Sequence, residues 1–234
     1  MTRNHARTIR LGPRDHDIFD HVRRYRLTTR DVLHRLFFPE ATPNAVTKVT
    51  SRLCRSGFLN RFDLYESRDY FVLGPEAARL LGAPAKRTEG LGVQALPIEF
   101  AVLLFCAGAG HRERLTRAEL QAHHPGVLVP GVDASRYYLD RDGGKTRLAA
   151  IRVDCGGSAD HVARKCRDDL DRRLEYDAFR DLVANDRFMI AVVTAREEKA
   201  RAIHQALERS AWPIRFRLGV IPELARLIIQ PERR

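Results

Sequence analysis

The stretch Thr42–Gly57, TPNAVTKVTSRLCRSG, has signals for both ends of a helix and carries charge of only one sign. Thr42 is a favourable N-cap, Pro43 suits the first helical position, and Gly57 suits the position just after the last turn. Between these ends lie three basic residues and no acidic residue, in a chain that is 30% charged. The stretch therefore predicts a short helix with an unusual, purely basic polar face.

A helical wheel divides this stretch into two faces. Val46, Val49 and Leu53 form an apolar stripe that predicts packing against a core. The opposite stripe collects the polar residues, with Arg52 at its flank: Asn44, Thr47, Lys48, Ser51 and Arg55. An ordinary amphipathic helix with a solvated polar face would also produce two stripes, so the meaning of this face depends on its neighbours.

Two helices are predicted before this stretch, one opened by Pro13 and one capped by Thr28 or Thr29 and stopped at Pro39. After it, Phe58–Leu64 and Tyr70–Leu73 have the pattern of two short strands around a turn. A short helix then runs from Pro75 to about Leu81. Three helices, a hairpin and a short helix are the element order of a winged helix-turn-helix, whose third helix enters the major groove of DNA.

A basic third helix fits this interpretation because a carboxylate on the entering face would meet the phosphates of the DNA backbone. We expect Asn44 and Arg55 to read adenine and guanine edges, and Thr47 and Ser51 to reach bases or phosphates. Lys48 and Arg52 are expected to position the backbone. On the hairpin, Arg61 and Arg68 are expected to contact phosphate or the minor groove. The arm residues are expected to add non-specific affinity: Arg3, Arg7 and Arg10.

The composition favours a polyanionic partner, nucleic acid first and an anionic membrane second. The formal net charge is +11, and residues 1–90 hold 17 Lys/Arg against 10 Asp/Glu, whereas residues 91–234 hold 24 against 20. Four scattered cysteines without a CxxC pair predict neither a zinc site nor disulfides. No apolar run approaches membrane-spanning length, so we expect no membrane partner and a cytoplasmic, nucleoid-associated location in a bacterium.

Residues 83–96 are rich in Gly, Pro, Ala and charge and predict a linker. Beyond it we predict an apolar helix over 97–107, strands in SRYYLD (135–140) and TRLAAIRVD (146–154), and one long helix from Ser158 to about Val183. A strand at 187–195, a helix at 196–210, a strand at 214–220 and a terminal helix at 222–229 complete the pattern. This alternation predicts a mixed sheet covered by helices. The expected fold class is therefore α+β.

Three segments of the N-terminal part, RDHDIFDHVRRYRLTTRDVLHRLFF (14–38), SRLCRSGFLNRF (51–62) and YFVLGPEAARLLG (70–82), resemble the bacterial and plasmid replication-relaxation family. VPGVD (129–133), IRVDCGG (151–157) and HVARKCRDDL (161–170) extend the resemblance. It implies a winged helix-turn-helix over 13–82, after a basic arm at 1–12. It also implies a domain related to the PD-(D/E)XK nucleases over 97–234.

A nuclease of that type needs carboxylates on adjacent strands to hold a divalent metal, and a lysine two residues after the second acid. Asp133, Asp140 and Asp142 are candidates for the first acid. The position expected to be acidic is Arg152, two residues before Asp154, and a guanidinium there would repel the metal. We therefore predict no catalytic activity, no metal and no cofactor, and an assembly or regulatory role for this domain.

The sequence thus predicts a protein that binds double-stranded DNA sequence-specifically, as a homodimer because helix-turn-helix proteins read paired half-sites. A transcription regulator associated with a mobile element is the leading interpretation. One alternative is a relaxosome or plasmid replication accessory protein that recruits a relaxase or a replication initiator. Another is a metal-dependent nuclease that uses Asp133, Asp140 or Asp154.

Overall fold

A computed structural model describes residues 10–228 and divides the chain into two compact units, Met1–Gly90 and Leu91–Arg234. We call these the N-terminal unit and the C-terminal unit. The division falls inside the segment predicted as a linker. The predicted arm residues Arg3 and Arg7 lie outside the described residues, as does the last residue of the predicted terminal helix.

The N-terminal unit has the predicted order of elements, with ends that differ from the prediction by about two residues or less. They are α1 (Pro13–Tyr25), α2 (Arg30–Phe37), α3 (Pro43–Arg55), β1 (Leu59–Tyr65), β2 (Arg68–Leu73) and α4 (Pro75–Leu80). β1 and β2 pair antiparallel, with Leu59 opposite Leu73. A 3-10 turn over Ala85–Thr88 follows α4.

Local chemistry accounts for the helix ends. Asp15 caps α1 by accepting a hydrogen bond from the Gly12 amide at 2.9 Å, and the Thr29 hydroxyl accepts from the Val32 amide at 3.3 Å in α2. α3 begins at Pro43, but the Thr42 side chain makes no capping hydrogen bond. Gly57, with a φ of 73°, ends the turn after α3 in the left-handed region that glycine tolerates best.

The core of the N-terminal unit joins apolar residues of α1, α2, α3 and α4 to the hairpin. Ile18 and Phe19 of α1, Leu53 of α3 and Phe71 of β2 are each at most 1% exposed. Gly74, between β2 and α4, passes so close to the end of α3 that a Cβ there would lie 2.3 Å from the Gly57 carbonyl oxygen. A side chain at this position would therefore separate the hairpin from α3.

Part of the predicted linker packs within the N-terminal unit. The Asn60 side-chain amide donates to the Thr88 carbonyl at 2.8 Å. A Cβ on Gly90 would lie 2.9 Å from the Phe62 ring. Residues 85–90 therefore lie against the hairpin rather than forming an open connection.

The C-terminal unit contains a five-stranded mixed sheet, as predicted. Its strands are β3 (Arg112–Arg114), β4 (Tyr137–Asp140), β5 (Arg147–Val153), β6 (Phe188–Thr194) and β7 (Arg215–Val220), and they lie in chain order. β3, β4 and β5 pair antiparallel, whereas β5, β6 and β7 run parallel. The helices are α5 (Ala95–Ala107), α6 (Arg117–His123), α7 (Ala159–Leu174), α8 (Asp177–Ala184), α9 (Glu197–Glu208) and α10 (Ala225–Ile228), with 3-10 turns at Pro125–Val127 and Pro222–Leu224.

Helices cover both faces of this sheet. Every residue of β6 is buried, and Ile190 shares one core cluster with Cys166 and Leu170 of α7 and Ile203 of α9. On the other face the Phe105 ring of α5 meets the ring of Tyr138 at 5.4 Å. Within residues 10–228 no helix combines the length and the apolar character needed to cross a membrane.

The prediction of one helix from Ser158 to about Val183 was wrong, because the chain breaks between α7 and α8. Tyr176 adopts an extended backbone with φ −110° and ψ 134°. Arg180 then donates to the Leu174 carbonyl at 2.7 Å, which satisfies the end of α7. The break places Phe179, fully buried, in the core. The three-residue strand β3 was not predicted from the sequence.

Candidate nucleic-acid interface

The predicted polar stripe of α3 faces solvent. Its five central members, Asn44, Thr47, Lys48, Ser51 and Arg55, are all exposed. On the opposite side Val46 and Leu53 are buried in the core of the N-terminal unit. Packing thus fixes the rotation of α3, and the basic face is the one left available to a partner.

A groove of about 530 Å³ runs beside this face, between α3, the start of α2 and the hairpin. It brings together five of the eight predicted contact residues: Thr47, Lys48, Ser51, Arg55 and Arg61. Three predicted residues do not line it: Asn44, Arg52 and Arg68. Its remaining walls are Arg30, Thr50, Cys54 and Phe71.

The cations of this groove differ in how far they are neutralised. Lys48 and Arg55 form no ion pair with any carboxylate in the part of the chain that the structure describes. Arg61 is 61% exposed and reaches Asp69 only at 3.9 Å. These three side chains can therefore turn to an external anion at little cost to existing contacts.

Arg30 was missed from the sequence. It is the first residue of α2, its Nη1 lies 2.9 Å from Asp69 Oδ2, and its guanidinium sits 5.2 Å from the centre of the Phe71 ring. A cation in the first turn of a helix opposes the helix dipole. This unfavourable position was the one sequence signal that could have identified Arg30.

Arg52 and Arg68, predicted as DNA contacts, have partners inside the protein. Arg52 Nη2 lies 2.5 Å from Asp15 Oδ1, and Asp15 is only 5% exposed, so this pair links α3 to α1. Arg68 Nη1 lies 2.8 Å from Asp31 Oδ2, and both side chains are exposed. Arg52 is thus part of the packing beneath α3, whereas Arg68 can exchange its partner at the surface.

Two of the acids considered for nuclease chemistry, Asp133 and Asp154, each have partners inside the protein. Asp133 is bound by Arg136 and by the Ser135 amide. Burial would raise the pKa of Asp133, but the hydrogen bonds from Ser135 and Arg136 hold it at about 2. Asp154 accepts from Thr194 Oγ1 at 3.2 Å and from the Gly156 amide at 3.1 Å.

Asp140 and Asp142 lie at the C-terminal end of β4, close to His111. His111 was not identified from the sequence. The ligand atoms of these three residues lie within 4.8 Å of one another. Arg217 reaches both carboxylates, with Nε 2.9 Å from Asp140 and Nη2 2.8 Å from Asp142. A cation would have to displace this guanidinium, so the cluster has the chemistry of an ion-pair network.

Comparisons of this chain with protein-family models, with curated proteins and with solved structures found no match.

Proposed function

We propose that this chain is a sequence-specific double-stranded DNA-binding protein whose N-terminal unit acts as a winged helix-turn-helix. The observation that carries the proposal is the exposed face of α3, where Lys48 and Arg55 have no carboxylate partner among the described residues. The neighbouring groove adds Arg30 and Arg61. A surface of this kind attracts phosphates and leaves side chains free to reach base edges.

The dimensions agree with helix insertion. The major groove is about 12 Å wide and admits one helix. α3 has 13 residues, which gives it a length of roughly 20 Å. In this arrangement Asn44 and Arg55 face base edges, with Thr47 and Ser51 beside them. Lys48, Arg61 and Arg68 contact phosphates, and Arg52 holds α3 on α1.

The test is duplex binding as a function of salt, followed by fluorescence anisotropy of a labelled DNA. We expect the Lys48→Ala/Arg55→Ala variant to bind more weakly than wild type and with a shallower salt dependence, by about 0.9 in slope for each lost phosphate contact. The matched control is Lys165→Ala/Arg196→Ala, which removes the same charge from exposed positions of the C-terminal unit. Equal losses in both variants would mean that only net charge matters, and would refute the proposed site.

The proposal includes a homodimer, since paired half-sites are the usual target of this motif. An interface through α5 is not favoured, because most of α5 is buried against its own sheet. β7 is the last strand in the sheet order, and the half-buried residues Trp212, Phe216 and Leu218 line a groove of about 520 Å³ beside α9. We infer that a second copy covers this groove.

Charge on α9 supports a two-fold contact. Arg201 and Glu208 are exposed two turns apart, so an antiparallel copy of α9 would place each opposite its complement. Arg201→Glu should weaken the dimer, and Arg201→Glu/Glu208→Arg should restore it, as measured by sedimentation equilibrium. A monomeric wild type, or a double variant no better than the single one, would contradict this arrangement.

For the C-terminal unit we propose a nuclease-like fold without nuclease activity. The support is the chain-ordered mixed sheet with helices on both faces, together with Arg152 on β5 at the position where the resemblance expects an acid. Incubation of the protein with plasmid DNA in magnesium should leave the DNA intact. Cleavage that depends on Asp133, Asp140 or Asp154 would overturn this part of the proposal.

In biological terms we propose a cytoplasmic transcription regulator of a mobile element, and the resemblance to the replication-relaxation family supports that setting. The same resemblance supports an accessory protein that works with a relaxase or a replication initiator. The position of the bound site separates the two roles. A site that overlaps a promoter indicates regulation, and a site at a transfer or replication origin indicates the accessory role.

A further inference from the structure

A partly enclosed cavity of about 240 Å³ lies near the carboxyl end of β5 in the C-terminal unit. Its polar lining consists of three arginines and two aspartates: Arg136, Arg152, Arg173, Asp133 and Asp169. Apolar walls come from both α5 and the central strands, including Ile98 and Ile190. The cavity is smaller than the roughly 300–1,000 Å³ that encloses a drug-sized ligand, so it suits one small group.

Two of these arginines, Arg136 and Arg173, already pair with a carboxylate. Arg173, at 2% exposure, holds Asp169 with hydrogen bonds of 3.1–3.2 Å and also donates to the Tyr137 hydroxyl. Arg136 donates to Asp133 through one of its nitrogens. Both aspartates are therefore neutralised in place, and neither leaves an excess of negative charge in the cavity.

Arg152 is the exception. It has no carboxylate partner within residues 10–228, and its Nε is buried without any hydrogen bond. The thiol of Cys166 lies beside it, and burial raises the pKa of this thiol to about 11, so the sulfur stays neutral at physiological pH. The cavity lining thus contains one positive charge more than its negative charges.

We propose that this cavity binds a phosphate group, with Arg152 as its principal ligand and Arg136 as a second donor. A guanidinium offers a planar fork of N–H donors that matches phosphate oxygens, and two such side chains, Arg152 and Arg136, line this cavity. The phosphate arrives either as a small molecule, such as inorganic phosphate or a nucleotide, or as the terminal phosphate of a DNA end. This inference does not depend on the proposed function of α3.

The first experiment uses the full chain in a chloride buffer at constant ionic strength, titrated with inorganic phosphate. Calorimetry should show saturable binding, and the midpoint of thermal unfolding should rise with phosphate concentration. Arg152→Met keeps the apolar stem but removes the charge, and should abolish both effects. Arg215→Met removes an exposed arginine from β7, which is separated from β5 by β6, and should change neither effect.

Two further variants test phosphate binding in case Arg152→Met does not fold. Arg152→Lys retains the charge without the fork, and should weaken phosphate binding about tenfold even if Arg152→Met fails to fold. Lys48→Ala/Arg55→Ala should bind phosphate like wild type, which separates this cavity from the DNA-binding face. Phosphate binding that is absent in wild type, or unchanged in Arg152→Lys, would overturn the proposal.

The source of the phosphate is tested with two probes. Equal protection by inorganic phosphate and a nucleoside monophosphate, with no preference for phosphorylated DNA, would assign the cavity to small phosphates. Tighter binding of a 5′-phosphorylated duplex than of its 5′-hydroxyl counterpart, lost in Arg152→Met, would assign it to DNA ends. No difference between Arg152→Met and wild type with any of these probes would refute the site.

Discussion

Arginines in the two units have contrasting surroundings. Arg55 on α3 is exposed and has no carboxylate partner among the described residues, whereas the Arg114 side chain in the C-terminal sheet is 4% exposed and lies 2.6 Å from Glu99. The fold can lose the Arg55 side chain with little change. Loss of Arg114 alone would leave the Glu99 carboxylate buried without a partner charge. The number of basic residues alone therefore does not show which of them can turn to an external anion; the carboxylate partner of each residue decides that.

The two parts of the chain also differ in net charge. Residues 1–90 carry an excess of seven basic over acidic residues, against four in the longer C-terminal part. In the C-terminal unit some of the acids are engaged by arginine, as in Arg147 with Asp186 at 2.8 Å and Arg217 with Asp142 at 2.8 Å. In the N-terminal unit Lys48 and Arg55, on the exposed face of α3, have no carboxylate partner among the described residues.

Breaking the buried ion pair between Arg114 and Glu99 should produce the largest loss of stability. Arg114→Met leaves the Glu99 carboxylate buried without its guanidinium, and should lower the free energy of unfolding of the C-terminal unit by about 3–5 kcal/mol. Chemical denaturation measures this loss. The double variant Arg114→Met/Glu99→Met should recover most of the stability. A single variant as stable as wild type would show that the pair contributes nothing.

The N-terminal unit has a buried histidine that should make its stability depend on pH. His21 Nε2 lies 3.1 Å from Thr28 Oγ1, and burial, with a smaller contribution from Arg24, lowers the pKa of His21 from 6.5 to about 4. The unfolded chain therefore binds a proton at a higher pH than the folded chain does. Stability should be full above pH 6.5 and should fall by roughly 3 kcal/mol between pH 6.5 and pH 4.

Denaturation at pH 7, 5.5 and 4 measures this dependence, with His21→Gln as the control that cannot titrate. The variant should show a flatter profile over this range. The lowered pKa of Asp133, at about 2, acts only below this window and in the other unit. Parallel profiles for wild type and His21→Gln would mean that another group governs the acid response.

Removing a cation from the exposed face should affect binding and spare the fold. Arg55→Ala should cost about 1–3 kcal/mol of DNA-binding free energy and relax the preference at one base pair, because the guanidinium reads a guanine edge. Its unfolding free energy should match that of wild type. Competition between single-base variants of the preferred site measures the loss, and an unchanged preference would remove Arg55 from the base-reading set.

The smallest expected change in stability distinguishes the role of Arg52 from that of Lys48 on the same helix. Arg52 is about one-third exposed and holds the buried Asp15, so Arg52→Ala should lower stability by about 1 kcal/mol after allowance for solvent screening. Lys48→Ala should leave stability unchanged but reduce the salt dependence of DNA binding. The reverse pattern, a stable Arg52→Ala with a reduced salt slope, would show that Arg52 contacts phosphate after all.

Local signals were sufficient for most of the N-terminal unit. Pro13, Pro43 and Gly57 mark helix ends through their own backbone preferences, and the spacing of Val46 and Leu53 predicted which face of α3 is buried. The mixed character of the C-terminal sheet likewise followed from alternating strand and helix patterns.

The features that escaped prediction depend on side-chain contacts that helix and strand patterns do not show. Arg52 meets Asp15 across 37 positions; the helical wheel places Arg52 at the flank of the polar stripe, but the local sequence does not show that Asp15 is its partner. The break between α7 and α8 follows from the burial of Phe179 and from the capping of Leu174 by Arg180. Such features become visible only when the tertiary packing is known.

The most direct test of the central claim is selection of bound sequences from a random duplex library at about 150 mM salt, where non-specific phosphate binding is weakened. Wild type and Lys48→Ala/Arg55→Ala should be compared side by side. We predict that wild type enriches one palindromic site and that the variant loses this enrichment. If wild type enriches no sequence, or if the variant enriches the same site equally well, then the basic face of α3 does not read DNA.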